Sequence, residues 1–300
     1  MNVIVARELS KQYGSVKAIK NISFTIEENK ITGLIGRNGA GKTTLLKIMA
    51  GYLRETSGEV RVFNEEPFNH LKVASNMVFV DEQMTFPEAL SLADILEAAE
   101  AFYENWDQEL AQRLFEYFSF TKKQYHSHLS KGMRSTFNMI VGLAARCPLT
   151  IMDEPTSGMD SSVRKDFYRA LLKDYMEWPR TIILSSHLLN EVEDILEDMI
   201  LVKEGEIALH KSIAEVKEYA IGLRGNTVKI NEFTLNRDVL HQRSIGGNTS
   251  YVVVRNVFSN QVVQNIRNAG IEVTPVSSDD LCVYLTNSTK GGIDDVFNRS

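Results

Sequence analysis

The chain has little cysteine, no long apolar run and no excess of basic charge. Only two cysteines occur in 300 residues, Cys147 and Cys282. They lie far apart without metal-ligand spacing, so both read as buried small hydrophobes in a reducing compartment. No stretch reaches the roughly eighteen to twenty apolar residues needed to cross a bilayer. The nearest candidate, Phe137 to Met152, is broken by Arg146 and Pro148. The N-terminus meets Arg7, Glu8 and Lys11 before a signal-like apolar core can form, so no secretory signal is expected. Net charge is −6, which argues against nucleic acid as the main partner. Tandem repeats, low-complexity tracts and coiled-coil heptads are missing as well. What remains, 43% hydrophobic and 24% charged residues, is the composition of a soluble globular protein with a sizeable core. The expectation is a cytosolic chain that reaches a membrane only through a partner.

Two short strands, VIVAREL and NISFTIEE, are expected around a turn at Tyr13-Gly14. The compact apolar run ITGLIG (Ile31 to Gly36) reads as a buried parallel strand. It feeds a Gly-rich loop and an apolar-periodic helix, TTLLKIMAGYL, and NMVFVDEQ follows as another strand ending in polar residues. From Ser91 to about Tyr125, apolar residues recur at three- and four-residue spacing among strong helix formers, which predicts a helical insertion. Strand-like runs return with PLTIMDE and RTIILSSH, separated by the helix VRKDFYRALLKDYMEW, and DMILVKEGEIALH reads as a last strand. Strands alternating with helices predict an α/β domain with a largely parallel core sheet. A break is expected near Gly222-Leu-Arg-Gly225. Beyond it TVKI, SYVVVRN, the helix-like SNQVVQNIRNAG, IEVTPV and DLCVYLT suggest a small α+β appendage with a Gly-rich loop at Gly246-Gly247.

Gly36-Arg37-Asn38-Gly39-Ala40-Gly41-Lys42-Thr43 fits G-x-x-x-x-G-K-[ST]. Glycines let the backbone wrap a phosphate chain with its N–H groups turned inward. Lys42 places positive charge on the β- and γ-phosphates, and the Thr43 hydroxyl is set to ligate Mg²⁺ where the helix begins. The motif follows a buried strand and precedes a helix, as the chemistry requires.

PLTIMDE sets Asp153 and Glu154 directly after a buried run. In open α/β sheets ligands bind beyond the carboxyl ends of the strands, so both carboxylates are expected at the nucleotide. Asp153 would hold Mg²⁺, and Glu154 would orient and polarise an attacking water. His187 ends RTIILSSH in the same manner and is read as a hydrogen-bonding contact to the γ-phosphate. A second phosphate-type start lies at HLSKGMRSTFN, where Ser130 and Gly132 open a helix whose first N–H groups lack partners.

Gly36 to Thr44, LSKGM at Leu129 to Met133, LTIMDE at Leu149 to Glu154, SGMD at Ser157 to Asp160, and His187 occur in the order seen in ATP-binding-cassette (ABC) ATPases. The chain resembles that family over about residues 1 to 215, and looks like the detached ATPase subunit of a bacterial exporter with a separate membrane subunit. The resemblance implies a P-loop ABC ATPase core over residues 1 to 220. That core would carry an antiparallel β edge and a helical signature subdomain over about residues 88 to 145. A small α+β domain over 221 to 300 would serve dimer contact or regulation. It implies ATP and Mg²⁺ as cofactors, Tyr13 stacked on adenine, Thr44 on the α-phosphate side, and Asp160 at the junction of two subunits. The signature reads LSKGM where the usual form is LSGGQ. At the family's glutamine position strand register favours Glu82, with Gln83 next to it, and either side chain suits Mg²⁺ or the lytic water.

In this family the signature serine and glycine contact the γ-phosphate held by the opposite subunit. The resemblance therefore implies a second ATPase subunit, identical or different, and a transmembrane permease. It places the chain on the cytoplasmic face of the cell membrane, exporting a drug, antibiotic or peptide. A non-transport ABC ATPase regulating a soluble complex is the alternative, although such proteins usually carry two fused ATPase halves or long coiled coils, neither of which is visible. Asp279-Asp280 and His241 read as solvated surface.

Overall fold

The computed structural model describes residues 1–287, and the chain divides into two compact units, Met1–His210 and a second from Lys211 onward. The division falls earlier than the expected 220. In the first unit β1 (Asn2–Tyr13), β2 (Val16–Glu27) and β4 (Ser57–Val62) form an antiparallel sheet in the order β2-β1-β4. Along β2 the side chains alternate, with Ile22, Phe24 and Ile26 buried, the period of a strand covered on one face. A six-stranded sheet lies beside it. Its members are β3 (Ile31–Ile35), β5 (Met77–Val80), β6 (Leu149–Met152), β7 (Thr181–Ser186), β8 (Asp198–Lys203) and β9 (Glu206–Ser212), ordered β5-β6-β7-β3-β8-β9. The pairs joining β5, β6, β7, β3 and β8 are all parallel. Strands β3, β5, β6 and β7 are buried throughout, which is why they read as unbroken apolar runs.

Helix α1 (Lys42–Met49) fills the space between the sheets. Its Leu45, Leu46, Ile48 and Met49 share one core with Ile4 and Leu9 of β1 and with Ile151 and Ile183 of the parallel sheet. The helical segment consists of α3 (Leu92–Phe102), α4 (Gln108–Tyr117) and α5 (Lys131–Ala144), following the short α2 (Leu71–Ser75). Each long helix starts on a side-chain cap: Ser91 and Asp94 form a capping box, Asp107 accepts from the Leu110 N–H, and Ser130 accepts from the Met133 N–H. Residues Ser135 to Ala144 of α5 are buried, and Gly142 lets the helix approach β5 closely, because a Cβ there would sit 2.5 Å from Val80 Cγ2. Helix α6 (Ser161–Glu177) connects β6 to β7.

Several expectations need correction. DMILVKEGEIALH is two strands, β8 and β9, separated by the turn at Glu204-Gly205. SGEVRV forms β4, an edge strand that the sequence reading passed over. Cys147 is buried, and burial pushes its thiol up to about 12, but Cys282 is only half-buried.

In the second unit the supposed break at Gly222 to Gly225 is the middle of β10 (Ala220–Asn226). After the short α7 (Ile213–Lys217), the order is β10, α8 (Thr227–Thr234), β11 (Val239–Gly246), β12 (Thr249–Arg255), α9 (Asn260–Asn268) and β13 (Glu272–Pro275). The sheet runs β11-β12-β10-β13 with every neighbour antiparallel, the split β-α-β topology. TVKI opens α8: the Asn226 side chain accepts from the Val228 and Lys229 N–H groups and turns the chain into a helix. DLCVYLT belongs to α10 (Ser278–Thr286), capped by Ser277. His241 is not solvated surface, since its ring stacks on Tyr284 with centroids 4.4 Å apart. Leu223, Ile230, Val252, Val254, Ile266 and Ile271 form this unit's own core.

Candidate functional site

Three strand ends bring the site together. From β3 the chain enters the loop Gly36 to Gly41 and begins α1 at Lys42. Gly41 has φ 109°, and a Cβ on it would stand 2.6 Å from the Ala18 carbonyl oxygen; a Cβ on Gly36 would stand 2.5 Å from that of Val202. Only glycine fits either place, because backbone atoms cannot give way. Gly39 also takes positive φ, 81°. Lys42 is buried and curls back, donating from Nζ to the Gly36 carbonyl at 2.7 Å.

Strand β6 delivers Asp153 and Glu154, and β7, aligned with Met152 opposite Leu184, delivers Ser185 and His187. Side chains two apart on a strand share a face. Accordingly Ser185 and His187 both meet the β6 end. The buried Ser185 hydroxyl donates to Asp153 Oδ1 at 2.6 Å and accepts from the Glu154 N–H at 2.8 Å. Glu154 is held at φ 48°, the left-handed region, and its carboxylate lies between two partners. Oε1 is 3.2 Å from Lys42 Nζ, and Oε2 is 2.8 Å from His187 Nδ1. Lysine, glutamate and histidine form one line along the sheet edge.

A cavity of about 350 Å³ opens there, lined by Asn38 and Thr43 of the loop and helix, by Asp153, Glu154 and His187, and by Ser157. Lys47, Asp81, Glu82 and Gln83 close its other side. The two candidates for the glutamine position have separate partners. Gln83 Oε1 accepts from Lys47 Nζ at 3.4 Å, whereas Glu82 Oε2 pairs with Lys131 at 2.6 Å. Burial holds the Asp81 carboxyl above the ordinary carboxylate range, against the pull of Lys47 and the Gln83 N–H and with repulsion from Asp153 adding to it.

Of the expected site residues, Gly36, Gly39, Gly41, Lys42, Tyr13, Thr44, Ser130, Gly132 and Asp160 stand outside the cavity lining. Tyr13 is exposed at the end of β1 with Lys11 Nζ 5.1 Å from its ring centroid. Ser130 caps α5, and Gly132 packs so tightly on the next loop that a Cβ would lie 2.4 Å from the Gly158 carbonyl oxygen. Asp160 flanks α6 without a side-chain bond to the helix's first N–H groups. The sequence reading missed Lys47, Asp81 and Ser185, and held Ser157 only as the start of the SGMD motif. Two of them carried a signal: Lys47 is four residues from Thr43 on one helix face, and Ser185 is two from His187 on one strand face.

The donor set suits a hard cation. Thr43, Asp153 and Glu82 offer oxygens, and among the described residues no group of three or more His, Cys, Asp or Glu is gathered to hold a metal alone. Mg²⁺ needs no such cage, because it keeps waters and takes phosphate oxygens beside one or two protein ligands. Glu154 Oε1 is buried without a hydrogen-bond donor, its charge balanced by Lys42 but a lone pair left for a further ligand.

A glycine loop, a curled-back lysine and paired carboxylates at the carboxyl edge of a parallel sheet define a P-loop nucleoside triphosphatase. The family model "ABC transporter" matches residues 19–157. An uncharacterized ABC transporter ATP-binding protein of Bacillus subtilis, YdbJ, is 32% identical over 210 residues, covering 68% of each chain. The bacitracin transport ATP-binding protein BcrA of Bacillus licheniformis is 26% identical over 304 residues, covering 97% of this chain and 98% of its own. A solved ATP-binding subunit of an ABC transporter superposes with a TM-score of 0.64 at 21% identity, over 72% of this chain and 92% of that one. The chain belongs to the ABC transporter ATP-binding proteins, and it is an ATPase.

Proposed function

We propose that this chain drives export of a drug, antibiotic or peptide through a separate transmembrane permease, using ATP-dependent closure of two ATPase subunits. Export is supported by the likeness to a bacitracin transport ATP-binding protein that spans both units of the chain. No helix among the described residues is long and apolar enough to cross a membrane, which fits a subunit that works on the cytoplasmic face through a permease. The second unit serves dimer contact or regulation.

Lys42 and the loop N–H groups bind the triphosphate, with Tyr13 against the adenine and Thr44 on the α-phosphate side. Thr43 and Asp153 would hold Mg²⁺, with Glu82 or Gln83 beside them, and the ion would supply positive charge to offset that of the triphosphate. Glu154 accepts a hydrogen bond from the attacking water and orients it, and His187 holds the Glu154 carboxylate while facing the γ-phosphate.

The observation that carries the two-subunit reading is the place of the second phosphate motif. Ser130 and Gly132 open α5, a second helix N-terminus separate from the one that Lys42 opens behind the phosphate loop. A helix N-terminus supplied by the partner adds donors to the γ-phosphate only when ATP is present, which makes the nucleotide part of the joint. Asp160 sits at that joint.

The test is Glu154→Gln. It should keep ATP binding, lose turnover and accumulate an ATP-dependent dimer on size exclusion. A monomer with full ATPase activity would refute the mechanism.

A further inference from the structure

Two of the departures of this sequence from the usual family pattern touch each other. Where the signature has glycine this chain has Lys131, and at the glutamine position of the nucleotide loop strand register favours Glu82, with Gln83 next to it. Lys131 Nζ and Glu82 Oε2 are 2.6 Å apart. The contact is not a chance meeting of two loose side chains. The Lys131 stem runs across Gly158, where an added Cβ would fall 3.1 Å from Lys131 Cγ and 3.3 Å from Cδ. Gly158 itself has φ 78°, so the loop is shaped to let the lysine pass.

The same helix grips the same loop from beneath. Asn138 is seven residues along α5 from Lys131, two turns on and on the same face. It is buried, and its Nδ2 donates to the carbonyls of Asp81 and Met84 at 3.3 and 3.4 Å. Its Oδ1 is fixed by His126 Nε2 at 2.7 Å. Asn138 therefore fixes the loop backbone, and Lys131 fixes the Glu82 side chain.

Charge explains why the second link is needed. Around the cavity the carboxylates Asp81, Glu82, Asp153 and Glu154 stand against Lys42 and Lys47. A triphosphate adds further negative charge, so a carboxylate in place of the amide opposes its binding unless a cation cancels it.

We propose that Lys131 is a positioning residue for the nucleotide loop: its ammonium holds the Glu82 carboxylate at the cavity edge and cancels its charge, so that this chain binds ATP with a glutamate at the glutamine position. The proposal rests on the reading that Glu82 faces the nucleotide. The pair is more than half exposed, so its energetic reach is that of a surface ion pair, about two- to fivefold in affinity.

The experiment is a double-mutant cycle on the full-length chain, reading the equilibrium Kd for ATP with Mg²⁺ at low and high salt. Lys131→Met should weaken binding about two- to fivefold at low salt, with the loss shrinking as salt screens the charges, and Lys131→Arg should restore it. In the Glu82→Gln background Lys131→Met should change Kd little, because nothing remains to be cancelled. An equal loss in both backgrounds overturns the proposal and points to Lys131 acting on a partner's phosphate instead. Unaltered Kd in every variant overturns it as well. Neither result touches the dimer mechanism, which stands or falls on the ATP-dependent dimer of Glu154→Gln.

Discussion

Ser185→Ala is the most incisive perturbation of the site, since one hydroxyl bonds to both Asp153 and Glu154. Its Oγ donates to Asp153 Oδ1 at 2.6 Å and accepts from the Glu154 N–H at 2.8 Å, in a place only 1% exposed. Alanine removes a hydrogen bond to a charged acceptor, worth about 1.5–3 kcal/mol, and leaves a buried N–H unpaired at about 1–3 kcal/mol. Because water in the neighbouring cavity offsets part of this, a destabilisation of about 2–4 kcal/mol is expected. Both tryptophans, Trp106 and Trp178, lie in the first unit, so their fluorescence in urea follows the unfolding of that unit. With a slope of about 2 kcal/mol per molar, the midpoint should fall by about 1–2 M. A cycle with Asp153→Asn should show a coupling above about 1 kcal/mol. Glu154 should also lose its left-handed setting, so turnover should fall about tenfold or more while ATP affinity changes less. A stability unchanged within about 0.5 kcal/mol, or strict additivity with Asp153→Asn, would refute the role given to Ser185.

Asp81 tests the electrostatics of the same cavity. Its folded-state affinity for a proton is raised, chiefly by burial, so the folded chain carries the charged form at a cost that is present in full above the raised value and absent below about pH 3.9. Asp81→Asn should therefore raise the melting temperature at pH 7 and lose that advantage as pH falls toward 4; an equal gain at both pH values would contradict the burial argument. Ser130 separates local from intersubunit roles. Ser130→Ala removes the cap on the Met133 N–H at a cost of about 1 kcal/mol, whereas Ser130→Gly should cost only a few tenths. Both should weaken the ATP-dependent dimer of the Glu154→Gln chain alike, and dimerisation that tracked helix stability instead would show that Ser130 acts only as a cap.

The phosphate loop and the carboxylates after β6 were legible in the sequence because their signals are local. Gly36 and Gly41 are glycines since a Cβ would strike the Val202 and Ala18 carbonyls, and the fully buried β3 and β6 announce themselves as apolar runs. The second unit was less legible. TVKI and DLCVYLT are short apolar segments that fit either strand or helix, and the caps at Asn226 and Ser277 settle the matter. The glycines near 222 and 225 resembled a linker, yet Gly222 sits mid-strand with Tyr251 Oη only 2.5 Å from where a Cβ would be.

The sequence by itself determined the local pieces of the site: the glycine loop after a buried strand, the lysine that opens the helix behind it, and the carboxylates that follow β6. Each depends on residues adjacent in the chain. Tertiary structure alone decided that Ser185 supports Asp153 and that Glu154 lies between Lys42 and His187. It also brought Lys131 to Glu82. Those pairings join residues from separate elements. Their physical cause is the register of parallel strands and the packing of α5 on β5, which no local pattern encodes.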